Sequence, residues 1–83
     1  MQEAIEQRVM RAIAEVTHTP VEQVTPDATF EELGLTSLDA LAVVMELEEE
    51  FGIEIANEDA LALRTVRQAV ECVRTLASEA EQS

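Results

Sequence analysis

The 83-residue sequence contains no lysine, tryptophan or tyrosine, and only one cysteine, two glycines and two prolines. Each scarcity excludes something. Phe30 and Phe51 are the sole aromatics, so the core must be built from Ile, Val, Leu and Ala, which predicts a soft, adjustable interior. A domain of this length buries only about 60–65% of the surface its unfolded chain exposes, so that core is modest. A single cysteine, Cys72, cannot form an internal disulfide, and no zinc-type ligand spacing exists. Its place in an apolar pattern predicts a buried, inert thiol. No apolar run is long enough to span a membrane, and MQEAIEQRVM lacks the basic flank and apolar stretch of a signal peptide. A monomeric cytoplasmic protein with no membrane insertion is expected.

Positive charge is also scarce. Five Arg face 18 acidic residues, for a net charge of −13. Such a surface repels phosphate, which argues against nucleic acid and anionic membranes as partners. Its natural complement is a basic protein surface, met faster at low salt.

The apolar residues recur with helical spacing. Ile5, Val9, Ile13 and Val16 define one face of a first helix, with Glu3 and Glu6 early and a stop near Thr17, ahead of Pro20. Residues 18–36 form a long connection that needs the anchors Val21, Val24, Phe30, Leu33 and Leu35. Within it, Thr29 to Glu32 fits a capping box and Gly34 an exit. A second capping box, Thr36 to Asp39, opens a helix that ends at Phe51 and Gly52. Asn57 suits the N-cap of a short third helix, with Glu58 and Asp59 in its first turn. Thr65 to Gln68 opens the last helix, whose apolar face is Val66, Ala69, Val70, Val73 and Leu76. The fold class is all-α, a small four-helix bundle of three main helices and a short third one. It is read as one domain over residues 1–83, with a core of about 3–77 and a polar, frayed tail from Ser78.

The second helix has more apolar residues than one core face needs. At about 100° per residue, Ala40, Val43, Val44, Leu47 and Phe51 share the core arc, while Leu38, Leu41 and Met45 fall roughly a third of a turn away. Glu48 and Glu49 continue that second strip, and carboxylates resist burial without partners. A helix in a small bundle can be covered on two sides, which would bury both arcs, but an apolar strip bordered by charge favours a docking surface. Ser37 lies in the first turn, where a serine can simply belong to the cap or can carry an anion in the positive field of the helix end. Spacing does not choose between these.

The run from Phe30 through Glu-Glu-Leu-Gly-Leu-Thr-Ser-Leu to Asp39, followed by Val44-Met-Glu-Leu-Glu-Glu-Glu-Phe-Gly-Ile-Glu-Ile55, closely resembles the acyl carrier proteins of bacterial fatty acid and polyketide synthesis. Pro26 to Thr29, Asn57 to Asp59 and Thr65-Val66 match as well, and the likeness covers roughly residues 5–76. The resemblance implies that Ser37 receives 4′-phosphopantetheine from coenzyme A through a Mg²⁺-dependent phosphopantetheinyl transferase. It implies a non-catalytic protein that carries acyl chains as thioesters to acyltransferase- and ketosynthase-type enzymes. Those partners grip the second helix with basic patches, at positions matching Leu38, Asp39, Leu41, Met45, Glu48 and Glu49. No metal site is expected in the chain itself.

Three positions depart from the family pattern. Thr36 stands where Asp is usual before the serine, Ala42 where Glu is frequent, and Ala56 where Pro is frequent. These point away from the housekeeping fatty-acid carrier toward a specialised one. A peptidyl or aminoacyl carrier is an alternative, but Gly34-Leu-Thr-Ser37 lacks the usual Gly-Gly-His/Asp-Ser run. A non-carrier acidic interaction module is another, opposed by Ser37-Leu38. No segment fits a calcium-binding loop. His18 is expected to meet the negative end of the first helix.

Overall fold

The computed structural model describes the backbone of residues 4–82 and the side chains of residues 4–79. Glu3, expected at the start of the first helix, and Ser83 lie outside them. Four α-helices follow one another: α1 (Ile5–Thr17), α2 (Ser37–Phe51), α3 (Asn57–Ala62) and α4 (Val66–Gln82), with a 3₁₀ turn at Val21–Gln23. α1 packs against α2 and α4, and α2 touches α3 and α4. Val9, Ile13, Val43, Leu47, Val66 and Val73 are fully buried where these helices meet. The expected core arc of α2 thus faces inward, with Ala40 and Phe51 packed at its margins. α4 continues as helix beyond Ser78, through the polar stretch that composition alone assigns to fraying.

α1 ends on a left-handed residue. His18 has φ 55° and ψ 38°, and its N–H meets the carbonyls of Ala14 and Glu15. Thr19 N–H closes the turn on Ala14 O at 3.0 Å. The backbone of His18, with its side chain exposed, therefore makes the cap. A residue with a Cβ is disfavoured in this conformation. His18→Gly is expected to raise stability by about 0.5–1 kcal/mol, after the extra freedom of glycine in the unfolded chain is subtracted. The shift of the urea midpoint measures it, and a fall would contradict the capping role.

The long connection is pinned by fewer anchors than expected. Val24 and Phe30 are buried and Leu33 and Leu35 partly so, but Val21 is 49% exposed. The 3₁₀ turn seats Val24 against the core and leaves Val21 on the outside. Backbone hydrogen bonds supply the rest. Phe30 N–H donates to Arg64 O at 2.8 Å and Val66 N–H to Ala28 O at 3.0 Å, making an isolated antiparallel bridge between Thr29 and Thr65. Both bridge residues also head capping boxes. Thr29 exchanges hydrogen bonds with Glu32, and Thr65 with Gln68. Two local caps and one long-range bridge thus fasten the loop to the α3–α4 junction, beside an Arg67–Asp27 ion pair of 2.7 Å.

The entry to α3 differs from expectation. Ala56 is the N-cap, extended and with no side-chain cap, and Asn57 is already helical. The turn is set upstream instead. Gly52 takes φ 65°, which a glycine tolerates without a Cβ clash. Glu48 then accepts the Ile55 N–H on Oε2 at 2.8 Å. Ile53 and Ile55 are buried by this turn, whereas α3 itself contains no buried residue and is held by its flanks.

Candidate functional site

α2 begins with a complete capping box. Thr36 Oγ1 accepts the Asp39 N–H at 3.2 Å, and Asp39 Oδ2 accepts the Thr36 N–H at 2.9 Å. Asp39 also accepts the Thr36 hydroxyl at 3.1 Å. Thr36 therefore does the capping and Ser37 does not. Ser37 is the first helical residue, its side chain is exposed, and its hydroxyl has no hydrogen-bond partner among the described residues. The side chain of Ser37 is therefore no part of the cap. A hydroxyl free of structural duty stands at the positive end of a helix.

The strip beside it is exposed as expected. Leu38, Leu41 and Met45 are 78%, 53% and 59% exposed. The acids expected there divide into two kinds. Asp39 is committed to the cap and Glu48 to the Ile55 N–H, while Glu49 is exposed and has no such bond among the described residues. Glu49→Lys is expected to leave stability within about ±0.5 kcal/mol and to slow association with a basic partner, most at low salt. Glu48→Lys should in addition cost about 1–3 kcal/mol, because it orphans a partly buried N–H. Urea unfolding beside stopped-flow association separates them, and equal stability for both variants would show that the Glu48 bond contributes little.

Two residues that sequence reasoning missed complete the surroundings of Ser37. Leu61 of α3 is 75% exposed and faces the same region. Arg64 follows α3, with one guanidinium nitrogen donating to Leu61 O at 2.6 Å and to Leu63 O at 3.0 Å. Ser37, Ala40, Leu61, Leu63 and Arg64 line two adjoining grooves. The inner one continues to Leu41 and Val44, and the outer one, of about 400 Å³, to Phe30 and Glu31. The signal for Leu61 lay in the pair Leu61 and Leu63, two apolar positions of which a short helix end can bury only one; Leu63 is buried.

A further, open groove of about 610 Å³ lies between α3 and α4, lined by Leu63, Cys72 and Leu76 among others. Cys72 is half-buried there rather than fully buried, because it sits at the edge of the α4 apolar face. Burial, reinforced by the nearby Asp59, pushes its thiol pKa up, so the reactive thiolate is disfavoured. Among the described residues no group of His, Cys, Asp and Glu could hold a metal ion, and no helix is long and apolar enough to cross a membrane.

The phosphopantetheine attachment site family matches residues 7–73. The crystal structure of an acyl carrier protein from Thermotoga maritima superposes with a TM-score of 0.80 at 26% identity, covering 95% of this chain and 99% of the other. The solution structure of the 3,7-dioxo-octyl actinorhodin acyl carrier protein from Streptomyces coelicolor gives 0.77 at 25% identity, covering 90% and 92%. The acetyl form of that carrier, at 24% identity and 0.74, shares the fold over 95% and 94%. The family match over residues 7–73, with the likeness of the whole bundle to a solved acyl carrier protein, places the chain in the acyl carrier protein family, whose members are non-catalytic carriers of covalently attached 4′-phosphopantetheine.

Proposed function

We propose that Ser37 is the residue that receives the arm, and that the protein serves a specialised polyketide or lipid pathway rather than housekeeping fatty acid synthesis. The observation that carries the first half is the unengaged Ser37 hydroxyl beside a cap made wholly by Thr36 and Asp39. In the loading step Ser37 Oγ attacks the phosphorus of coenzyme A that bears pantetheine. A serine O–P bond forms, the pyrophosphate P–O bond breaks, 3′,5′-adenosine diphosphate leaves, and the serine proton passes to a base of the transferase. When bound, the arm supplies a terminal thiol that holds acyl groups as thioesters.

The chain's own residues do the remaining work. The capping box holds Ser37 at a fixed place on the helix end. Leu38, Leu41, Met45 and Glu49 present an apolar strip with an acidic continuation, the complement of an apolar patch ringed by basic side chains. A phosphopantetheinyl transferase and acyltransferase- or ketosynthase-type enzymes are the partners this surface suits. The second half rests on Thr36, Ala42 and Ala56, which depart from the fatty-acid pattern, and on the likeness to a carrier bearing a 3,7-dioxo-octyl group. The test is incubation with coenzyme A, Mg²⁺ and a promiscuous transferase, followed by fragmentation mass spectrometry. The arm is expected on Ser37, and an arm on any other residue overturns the assignment. For the pathway, the intact mass of protein from its own cells should reveal a keto- or hydroxyl-bearing cargo; saturated long chains alone would overturn the second half.

A further inference from the structure

We infer that Arg64 is a positioning residue for the arm, its guanidinium pairing with the phosphodiester at Ser37 so that the arm starts out along the α2–α3 groove. The inference rests on attachment at Ser37, as proposed above. Ser37 and Arg64 line both grooves that meet at the head of α2, and among the described residues Arg64 is the only basic one lining either. Its setting differs from that of the three other arginines whose ion pairs are resolved. Arg8 pairs with Glu50, Arg67 with Asp27 and Arg74 with Glu71. The hydrogen bonds of the Arg64 guanidinium go to neutral carbonyls, Leu61 O and Leu63 O, through one nitrogen. Those bonds fix the side chain over the end of α3, and among the described residues the guanidinium has no carboxylate partner. A guanidinium has five donors in a planar fork, so its other edge remains available, and that edge matches a phosphate geometrically.

The surroundings sharpen the effect. The chain carries a net charge of −13, so an added phosphodiester anion is repelled almost everywhere on its surface. Next to Ser37 the positive end of α2 and Arg64 oppose that repulsion, while Glu31, on the wall of the outer groove, adds to it. Arg64 therefore selects a direction. The phosphate is drawn toward α3 and away from Glu31, and the first part of the arm lies against Leu61 and Leu63 instead of extending freely into water.

The experiment uses holo-protein with the ³¹P resonance of the phosphodiester as its readout. A salt series from ~0.01 to ~1 M takes the screening length from ~30 to ~3 Å. In the unsubstituted protein the resonance is expected to move through the series, and in Arg64→Gln that movement is expected to be lost. Arg64→Lys should keep part of it, since a point charge attracts without the fork. Arg64 also holds the carbonyls of Leu61 in α3 and of Leu63 just after it, so Arg64→Gln could loosen the end of α3. Glu31→Gln touches neither carbonyl and is expected to strengthen arm retention, seen as a larger salt-dependent shift. Equal ³¹P behaviour in the unsubstituted protein, Arg64→Gln and Glu31→Gln overturns the inference. So does an Arg64→Gln variant slowed only in its reaction with a partner enzyme, which would assign the guanidinium to the partner. Failure of the arm to attach at Ser37 is read separately, by mass, before any ³¹P measurement.

Discussion

Ser37→Ala is expected to fold with stability within about ±0.5 kcal/mol of the parent and to gain no arm mass at all. The first expectation follows from the cap. Both halves of the capping box belong to Thr36 and Asp39, and the Ser37 side chain is exposed and unbonded among the described residues. Alanine is a good helix former, so the first helical position loses nothing. The second follows from the alternatives. Ser78 is far along α4 and Ser83 lies beyond the described residues. Thr36, the nearest other hydroxyl, is tied to Asp39. Thr36→Ala is the complementary variant, expected to cost about 1 kcal/mol of stability and still to accept the arm. Intact-mass spectrometry after exposure to coenzyme A, Mg²⁺ and transferase, beside urea unfolding, reads both. Arm-sized mass on Ser37→Ala would end the assignment, and severe unfolding of that variant would mean the hydroxyl has a structural task.

Leu47→Ala is expected to cost about 2–5 kcal/mol, and Met45→Ala, only two residues away, no more than about 0.5 kcal/mol. Leu47 is fully buried between α2 and its neighbours, while Met45 is 59% exposed. A domain of this size has a total stability of roughly 4–12 kcal/mol, so the loss at Leu47 is a large fraction of the whole. Met45→Ala should instead weaken binding to a partner enzyme, because truncation removes apolar surface that becomes buried only in the complex. Chemical denaturation of both variants, with partner-binding measurements on Met45→Ala, distinguishes the two faces. If Met45→Ala unfolded as readily as Leu47→Ala, the strip would be core and the docking account would fail.

Much of this could be read in the sequence because it depends on neighbours along the chain. Capping at Thr29, Thr36 and Thr65 involves partners three residues away, and all three boxes form. The exit at Gly52 is a single-residue backbone preference and stands where expected. The two faces of α2 follow from helical spacing alone, and Val43, Val44 and Leu47 are buried while Leu38, Leu41 and Met45 are not. The local signals failed where they depended on contacts made elsewhere. Asn57 has the chemistry of an N-cap, but the Glu48–Ile55 hydrogen bond fixes the preceding turn, and Ala56 takes the position. Val21 has the hydropathy of an anchor, but Val24 fills the core.

By itself, then, the sequence determined the helices, the three capping boxes, the acidic surface and which serine heads α2, since each follows from short-range spacing and side-chain chemistry. Only the tertiary structure decided what Ser37 faces. The Thr29–Thr65 bridge draws the long loop onto the α3–α4 junction through backbone groups that every residue possesses, so no residue type announces it. With that junction in place, Arg64, distant from Ser37 in the chain, comes to line the same grooves, and Leu61 joins the exposed apolar surface. An arginine in a short connection carries no mark of its neighbour across the bundle. Its surroundings exist only once packing has closed the loop and spent the one buried position near the end of α3 on Leu63.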